Sequence, residues 1–140
     1  MKIKLAEGAT APTRATDGSA GYDLYTMREE TVFANDMPTS VDTGVAMQIP
    51  QGYVGLVFPR SGLAIREGVV LRNTVGVIDS DYRGNIILNL VTDDGFVVEL
   101  EKGQRVAQLV LVPISTPELE VVDELGGTVR GAGGFGSTGA

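Results

Sequence analysis

The sequence holds no cysteine, no histidine and no tryptophan among its 140 residues. Without cysteine there is no disulfide, no thiolate nucleophile and no sulfur-ligated metal. Without histidine there is no imidazole zinc ligand, and no Ser-His-Asp triad can be assembled. Proton transfer near neutral pH therefore falls to a carboxylate, an amine, a phenol or a bound metal. Long apolar runs are also missing. None approaches the roughly 20 residues that cross a bilayer, and "MKIKLAEGATAP" at the N-terminus lacks the apolar centre of a secretory signal. These absences lead us to expect a cytoplasmic protein with no membrane partner. Positive charge is scarce too: a net charge of −7 argues against a general grip on nucleic acid, which rests on broad basic surfaces.

What positive charge there is comes mostly as guanidinium. Lysine stands only at Lys2, Lys4 and Lys102, and every other cation is arginine: Arg14, Arg28, Arg60, Arg66, Arg72, Arg83, Arg105 and Arg130. Arginine suits planar, bidentate capture of phosphate or carboxylate, although a short sequence can reach this bias by chance. Hydrophobic residues make up 43%, enough for one packed domain of this length.

No helical periodicity lasts three turns. Short β-rich runs recur instead at 2–6, 31–34, 40–49, 53–59, 69–73, 85–92, 96–101, 105–114 and 119–125, parted by Gly, Pro, Asp and Asn. Many close strands without intervening helices predict an all-β, jelly-roll-like distorted antiparallel β-barrel. "GLAIREG" (62–68) has room for one helical turn. The tail "RGAGGFGSTGA" (130–140) is too glycine-rich for a strand or helix of its own.

Five stretches carry chemistry. In the tail, Gly131, Gly133 and Gly136 satisfy G-x-G-x-x-G, but four remaining residues leave no room for the helix that a dinucleotide fingerprint needs. Such a tail is ordinarily a frayed terminus. This one also carries Arg130, Phe135, Ser137 and Thr138, the parts of an arm that closes over a phosphorylated ligand with a flat base. "PRSGLA" (59–64) offers Arg60, the Ser61 hydroxyl and the Gly62 backbone at a strand end, a donor group or an ordinary Ser-Gly turn. "GVIDSDYRGN" (76–85) imitates a calcium loop. Arg83 occupies a ligand position, however, and Leu90 stands where the closing carboxylate belongs. A hairpin turn between "GVI" and "NIIL" then fits Asp81 as a solvated residue. It fits Asp79 less well, because Asp79 continues an apolar run where a carboxylate should meet a partner or a ligand. "GQRVAQLVLVP" (103–113) places Gln104, Val106, Gln108 and Val110 on one strand face and Arg105, Ala107, Leu109 and Leu111 on the other. "SAGYDLY" (19–25) is a turn entering a strand, with Asp23 between two tyrosines.

In this order, "AGYDLY" (20–25), "PRSGLA" (59–64), "NTVGVIDSDYRGNI" (73–86), "GQRVAQLVL" (103–111) and "RGAGGFGSTG" (130–139) resemble the five motifs of the trimeric deoxyuridine triphosphatases, the dUTPase family. The resemblance spans nearly the whole chain. It implies a barrel over 1–129, a nucleotide-closing arm over 130–140, and a homotrimer with active sites shared between subunits. One subunit would give Arg60, Ser61, Gly62 and Gln108 to the phosphates. A second would give Asn73 and the backbone of Gly76, Val77 and Ile78 to uracil, with Tyr82 packed on the deoxyribose to exclude a 2′-hydroxyl. The arm of a third would bring Phe135 onto the base and Arg130, Gly136, Ser137 and Thr138 to the terminal phosphate. Asp79 would be the catalytic residue, activating water for attack on the α-phosphorus of dUTP to give dUMP and pyrophosphate. The implied cofactor is Mg²⁺, with no direct protein ligand and Asp23 touching its water shell. Such an enzyme keeps uracil out of DNA and supplies dUMP for dTTP synthesis.

The chain departs from many relatives at "IREG" (65–68), where they carry a basic, often histidine-containing segment. Deoxycytidine triphosphate deaminases share the fold but differ around the second motif and use a glutamate as base, so "PRSGLA" and the intact tail favour the diphosphatase. A nucleotide sensor that retained the pocket is an alternative of another class, against which Asp79 speaks. A ligand-free β-module is a third, against which the five ordered motifs speak.

Overall fold

The computed structural model describes residues 1–34, 37–92 and 96–134. Among these described residues eleven strands and one short helix follow in chain order: β1 Lys2–Leu5, β2 Gly21–Tyr25, β3 Glu30–Val32, β4 Thr39–Asp42, β5 Val45–Gln48, β6 Tyr53–Pro59, α1 Ser61–Glu67, β7 Val69–Leu71, β8 Gly76–Ile78, β9 Ile87–Thr92, β10 Val98–Leu100 and β11 Arg105–Pro113. They form a four-stranded sheet β2-β11-β6-β8, a three-stranded sheet β4-β9-β7, and the pairs β1-β5 and β3-β10. All pairings are antiparallel. The expected all-β, jelly-roll-like distorted barrel is thus the observed architecture.

The core lies between the two larger sheets. Leu24, Val57 and Leu109 come from one; Val41, Leu88 and Leu90 come from the other, all at most 2% exposed. Their alternation with outward residues places one face of each strand inside. Ile49, Ile86 and Leu63 close the ends of the same cluster.

Several expectations change in detail. The run 40–49 is two strands, because Gly44 takes φ 65° and its N–H donates to Asp42 Oδ1 at 2.7 Å. A β-carbon there would strike the Met27 side chain and come within 2.7 Å of Ala9 Cβ, so the chain turns at glycine and changes sheet. "GLAIREG" is a two-turn helix rather than a single turn. It starts at Ser61, buries only Leu63, and ends where Gly68 at φ 65° donates back to the Ala64 carbonyl. The strict alternation read for 103–111 fails at a β-bulge between Arg105 and Ala107. The extra residue lets Val106 and Ala107 both turn inward, at 1% and 0% exposure.

The stretch 79–86 is not a hairpin turn. β8 pairs with β6, and β9 pairs with β4 and β7, so the segment crosses from one sheet to the other. The strand expected at 119–125 is absent: that run joins no ladder, with Leu119, Val121 and Leu125 at 95%, 99% and 89% exposure. Strand patterning needs a neighbour, and within this chain the segment has none. Residues 113–132 are exposed throughout.

Candidate functional site

The carboxyl end of β6 is where the polar groups gather. Across three strands, Asp23 on β2 stands opposite Gln108 on β11, which stands opposite Phe58 on β6. The chain then leaves β6 through Pro59 and Arg60 into α1, so Ser61 and Gly62 sit just beyond that row. Asp23, Gln108, Arg60, Ser61 and Gly62, together with Ala15, Ser19, Ala20 and Gly21, line a cavity of about 280 Å³. Gly21 is required for close approach: a β-carbon on it would lie 2.8 Å from Gln108 Oε1. The Gln108 amide in turn donates to the Pro59 carbonyl at 3.3 Å, tying the second and fourth motifs together.

Asp23 is the single acid of this cavity, and two guanidinium groups hold it. Arg60 Nε lies 3.1 Å from Oδ1 and Arg105 Nη1 lies 3.2 Å from Oδ2. The carboxylate is 13% exposed, and the two arginine side chains are 29% and 46% exposed, so water still reaches the cations. Arg60 Nη1 also donates to the Arg105 carbonyl at 3.4 Å. The β11 bulge matters here. It separates Arg105 from the regular register that carries Gln108, giving one strand two polar groups aimed at one cavity. Sequence reasoning gave Arg105 no role; the arginine bias was the signal for it.

A second cluster forms at the other end of β6. Val77, Ile78 and Asp79 leave β8 and, with Tyr82, Asn85, Ile86 and Ile87, line a cleft of about 160 Å³. Asp79 also borders a cavity of about 420 Å³ with Ser80, Asp81, Tyr53 and Ile114. The crossing segment is shaped by its own hydrogen bonds. Tyr82 N–H donates to the Asp79 carbonyl at 3.2 Å and Tyr82 OH donates to the Asn85 carbonyl at 3.0 Å. Arg83 Nη1 donates to the Ser80 and Tyr82 carbonyls, both at 2.8 Å, so this cation braces the turn and ligates nothing. The Asp79 carboxylate is exposed and has no side-chain partner among the described residues. Gly76 packs against Val57, on which a β-carbon would sit at 3.1 Å. Asn73 is exposed in the β7–β8 connection, beside the cleft rather than in its wall.

One chain therefore does not bring all the expected residues together. Ile78 pairs with Gly55, while Arg60 lies five residues further along, about 17 Å at 3.3 Å per residue. Arg130 touches neither cluster; it curls on itself, Nε donating to the Gly133 carbonyl at 2.9 Å. Phe135, Gly136, Ser137 and Thr138 lie outside the described residues.

A family model described as dUTPase matches residues 7–139. The chain belongs to the dUTPase family. Curated dUTPases agree over most of their length. The deoxyuridine 5'-triphosphate nucleotidohydrolase of Paramecium bursaria Chlorella virus 1 is 46% identical over 138 residues, 97% of this chain and 94% of that protein. The one from Hydrogenobaculum sp. is 43% identical over 136 residues, with the same coverage. Among solved structures, a mutant dUTPase of Staphylococcus bacteriophage 80alpha with dUpNHpp superposes with a TM-score of 0.88 at 33% identity, covering 99% of this chain and 98% of that one. A phage phi11 dUTPase, whose structure reveals the coordination of a structural Mg(II) ion, has a TM-score of 0.77 at 30% identity, covering 88% and 96%. In this dUTPase chain the second and fourth motifs meet the first at one end of β6, and the third motif occupies the other end.

Proposed function

We propose that this chain hydrolyses dUTP to dUMP and pyrophosphate, with Asp79 orienting and deprotonating the water that attacks the α-phosphorus. The observation that carries the reading is the division of labour along β6. A cation-rich polar cavity sits at one end, and an unpartnered carboxylate beside a small, half-apolar cleft sits at the other. Arg60, the Ser61 hydroxyl, the Gly62 backbone and the Gln108 amide supply donors suited to phosphate oxygens. Val77, Ile78 and Tyr82 give a cleft of the size and polarity for a pyrimidine and its sugar, with backbone groups of Gly76, Val77 and Ile78 and the Asn73 amide to read the imide edge. Tyr82, braced through its hydroxyl, leaves no space for a 2′-hydroxyl.

The separation of about 17 Å is longer than a triphosphate chain, so one nucleotide reaching both clusters takes them from different copies. That supports a homotrimer with shared sites, in which residues 130–140 of a further copy close over the nucleotide. Phe135 then stacks on the base, and Arg130, Gly136, Ser137 and Thr138 hold the terminal phosphate. The long exposed run over residues 113–132 supports such a reach.

A magnesium ion fits the polar cavity as a hard cation carried in by the phosphates. Among the described residues no three acidic groups converge, and Mg²⁺ commonly keeps several waters beside one or two carboxylates and substrate phosphates. Asp23 would hold it through water, its carboxylate exchanging the two arginines for that role. When bound, the ion neutralises the phosphates and orients the pyrophosphate leaving group. Asp79 accepts the water proton as general base. General-base catalysis contributes ~10²–10⁴-fold; fixed cations and alignment carry the rest. In a cytoplasmic setting the reaction keeps uracil out of DNA and supplies dUMP.

Pyrophosphate release with Mg²⁺ across dUTP, dTTP, dCTP and UTP tests the reading. Turnover of dUTP well above the other three is expected. Ammonia release from dCTP, or equal turnover of UTP, overturns it.

A further inference from the structure

Among the described residues, a cation beside the polar cavity stands without an ion-pair or hydrogen-bond partner. Arg60 and Arg105 both grip Asp23, whereas Arg66 forms no ion pair or side-chain hydrogen bond among the described residues. Its placement is set by the helix. Side chains in an α-helix point back toward the N-terminus and cover the residue four before, and four before Arg66 is Gly62, a wall of the cavity. A β-carbon on Gly62 would come within 3.1 Å of Arg66 Nη1 and 3.2 Å of Nη2. That is tighter than ordinary contact, so the guanidinium occupies the space that glycine leaves open. The guanidinium thus lies over Gly62, a residue of the cavity wall, and Arg66 is exposed.

We propose that Arg66 is a further phosphate-binding residue, receiving the outer end of the nucleotide's triphosphate where it leaves the cavity past Gly62. The inference rests on the dUTP diphosphatase reading for its ligand. The charges favour it: Arg60 and Arg105 already offset the single acid Asp23, and Arg66 beside Gly62 brings the excess of these four side chains to two positive charges, in a chain of net charge −7. Two of those guanidiniums must leave Asp23 before they can serve a phosphate. Arg66 is already free, so it meets the incoming polyanion first and at no cost in broken pairs. The role is binding and not proton transfer, because a guanidinium stays protonated and offers only charge and N–H donors.

Arg66→Gln keeps helix propensity and removes the charge. Expected are a KM for dUTP raised about tenfold, kcat within twofold, and unchanged inhibition by dUMP, which lacks the outer phosphates. The salt dependence of KM should flatten, Arg66→Lys should recover most of the loss, and the melting temperature should stay at the wild-type value. An unchanged KM overturns the proposal. Equal weakening of dUTP and dUMP overturns it too, because that pattern marks a structural defect of α1. Inorganic tripolyphosphate binding, measured in parallel, separates the two readings. A wild-type protein that binds it but does not turn over dUTP refutes the diphosphatase, and the Arg66 comparison is still read from that affinity.

Discussion

Asp79 and Asp81 sit two residues apart on one crossing segment, yet the molecule treats them differently. Asp79 leaves β8 between two cavities, carries no side-chain partner among the described residues and lines the cleft beside Tyr82. Asp81 borders only the outer of the two. A carboxylate kept free at a strand end is available to a water and a phosphorus, and its amide is not a base. Asp79→Asn is therefore expected to bind a non-hydrolysable dUTP analogue within a few-fold of wild type while kcat falls by ~10²-fold or more. Equilibrium binding and single-turnover rates read the two quantities apart, and a variant retaining wild-type turnover removes Asp79 from the chemistry. At this scale much was legible in the sequence. Asp79 was singled out because a charge followed an apolar run, Arg60 and Ser61 because donors clustered at a strand end, and Gln108, inside an apolar strand, through the resemblance of its motif. Arg105 and Arg66 were not legible, since a bulge and a back-folded helical side chain decide where they point. Asp23 was read as a metal-shell residue; its grip on two arginines depends on cross-strand register, which no local pattern encodes.

At the scale of elements, the strands that pack on both sides were easiest to read. β6 runs from Tyr53 to Pro59, the bounds its sequence suggests, because buried Val54 and Val57 and the following Arg60–Ser61 turn fix it. Failures came where tertiary pairing decides. The 40–49 run breaks at Gly44 through a contact with Met27, and "LEVVDEL" has strand composition without a partner strand in its own chain. The tail beyond it touches little. Residues 113–132 are exposed, and among the described residues Arg130 bonds inside its own turn, so this part of the tail adds little to the stability of the barrel. Removing residues 130–140 should leave the melting temperature and the assembly size unchanged, by calorimetry and light scattering. The value of kcat/KM for dUTP should drop by about tenfold or more, the lower range for losing one base–aromatic stack and a phosphate contact. Full activity of the truncated protein would show that the arm does not close the site.

The whole molecule turns on β6 acting as a spacer. It holds the Arg60 cradle and the Asp79 cleft at opposite ends of one rigid strand, flanked by β11 along its full length, so neither end can bend toward the other. In the proposed homotrimer a protomer alone would have two half-sites and no complete one, and rotational symmetry would let each half-site meet its complement on a neighbour. This arrangement has a consequence that a self-contained site lacks. Consider Asp79→Asn and Arg60→Ala, each expected to be nearly inactive by itself. In trimers assembled from an equal mixture, a site formed by Arg60 from an Asp79→Asn subunit and Asp79 from an Arg60→Ala subunit has both groups intact. Random assembly gives about a quarter of sites this composition, so co-expressed or co-refolded mixtures should recover about a quarter of wild-type turnover. Mixing the finished trimers without subunit exchange should recover nothing. If the two clusters served one chain's own nucleotide, every mixed site would keep one lesion and activity would stay at the level of the parent variants. Steady-state dUTP hydrolysis across mixing ratios distinguishes the two, since the recovered activity should peak at equal proportions and vanish at either end.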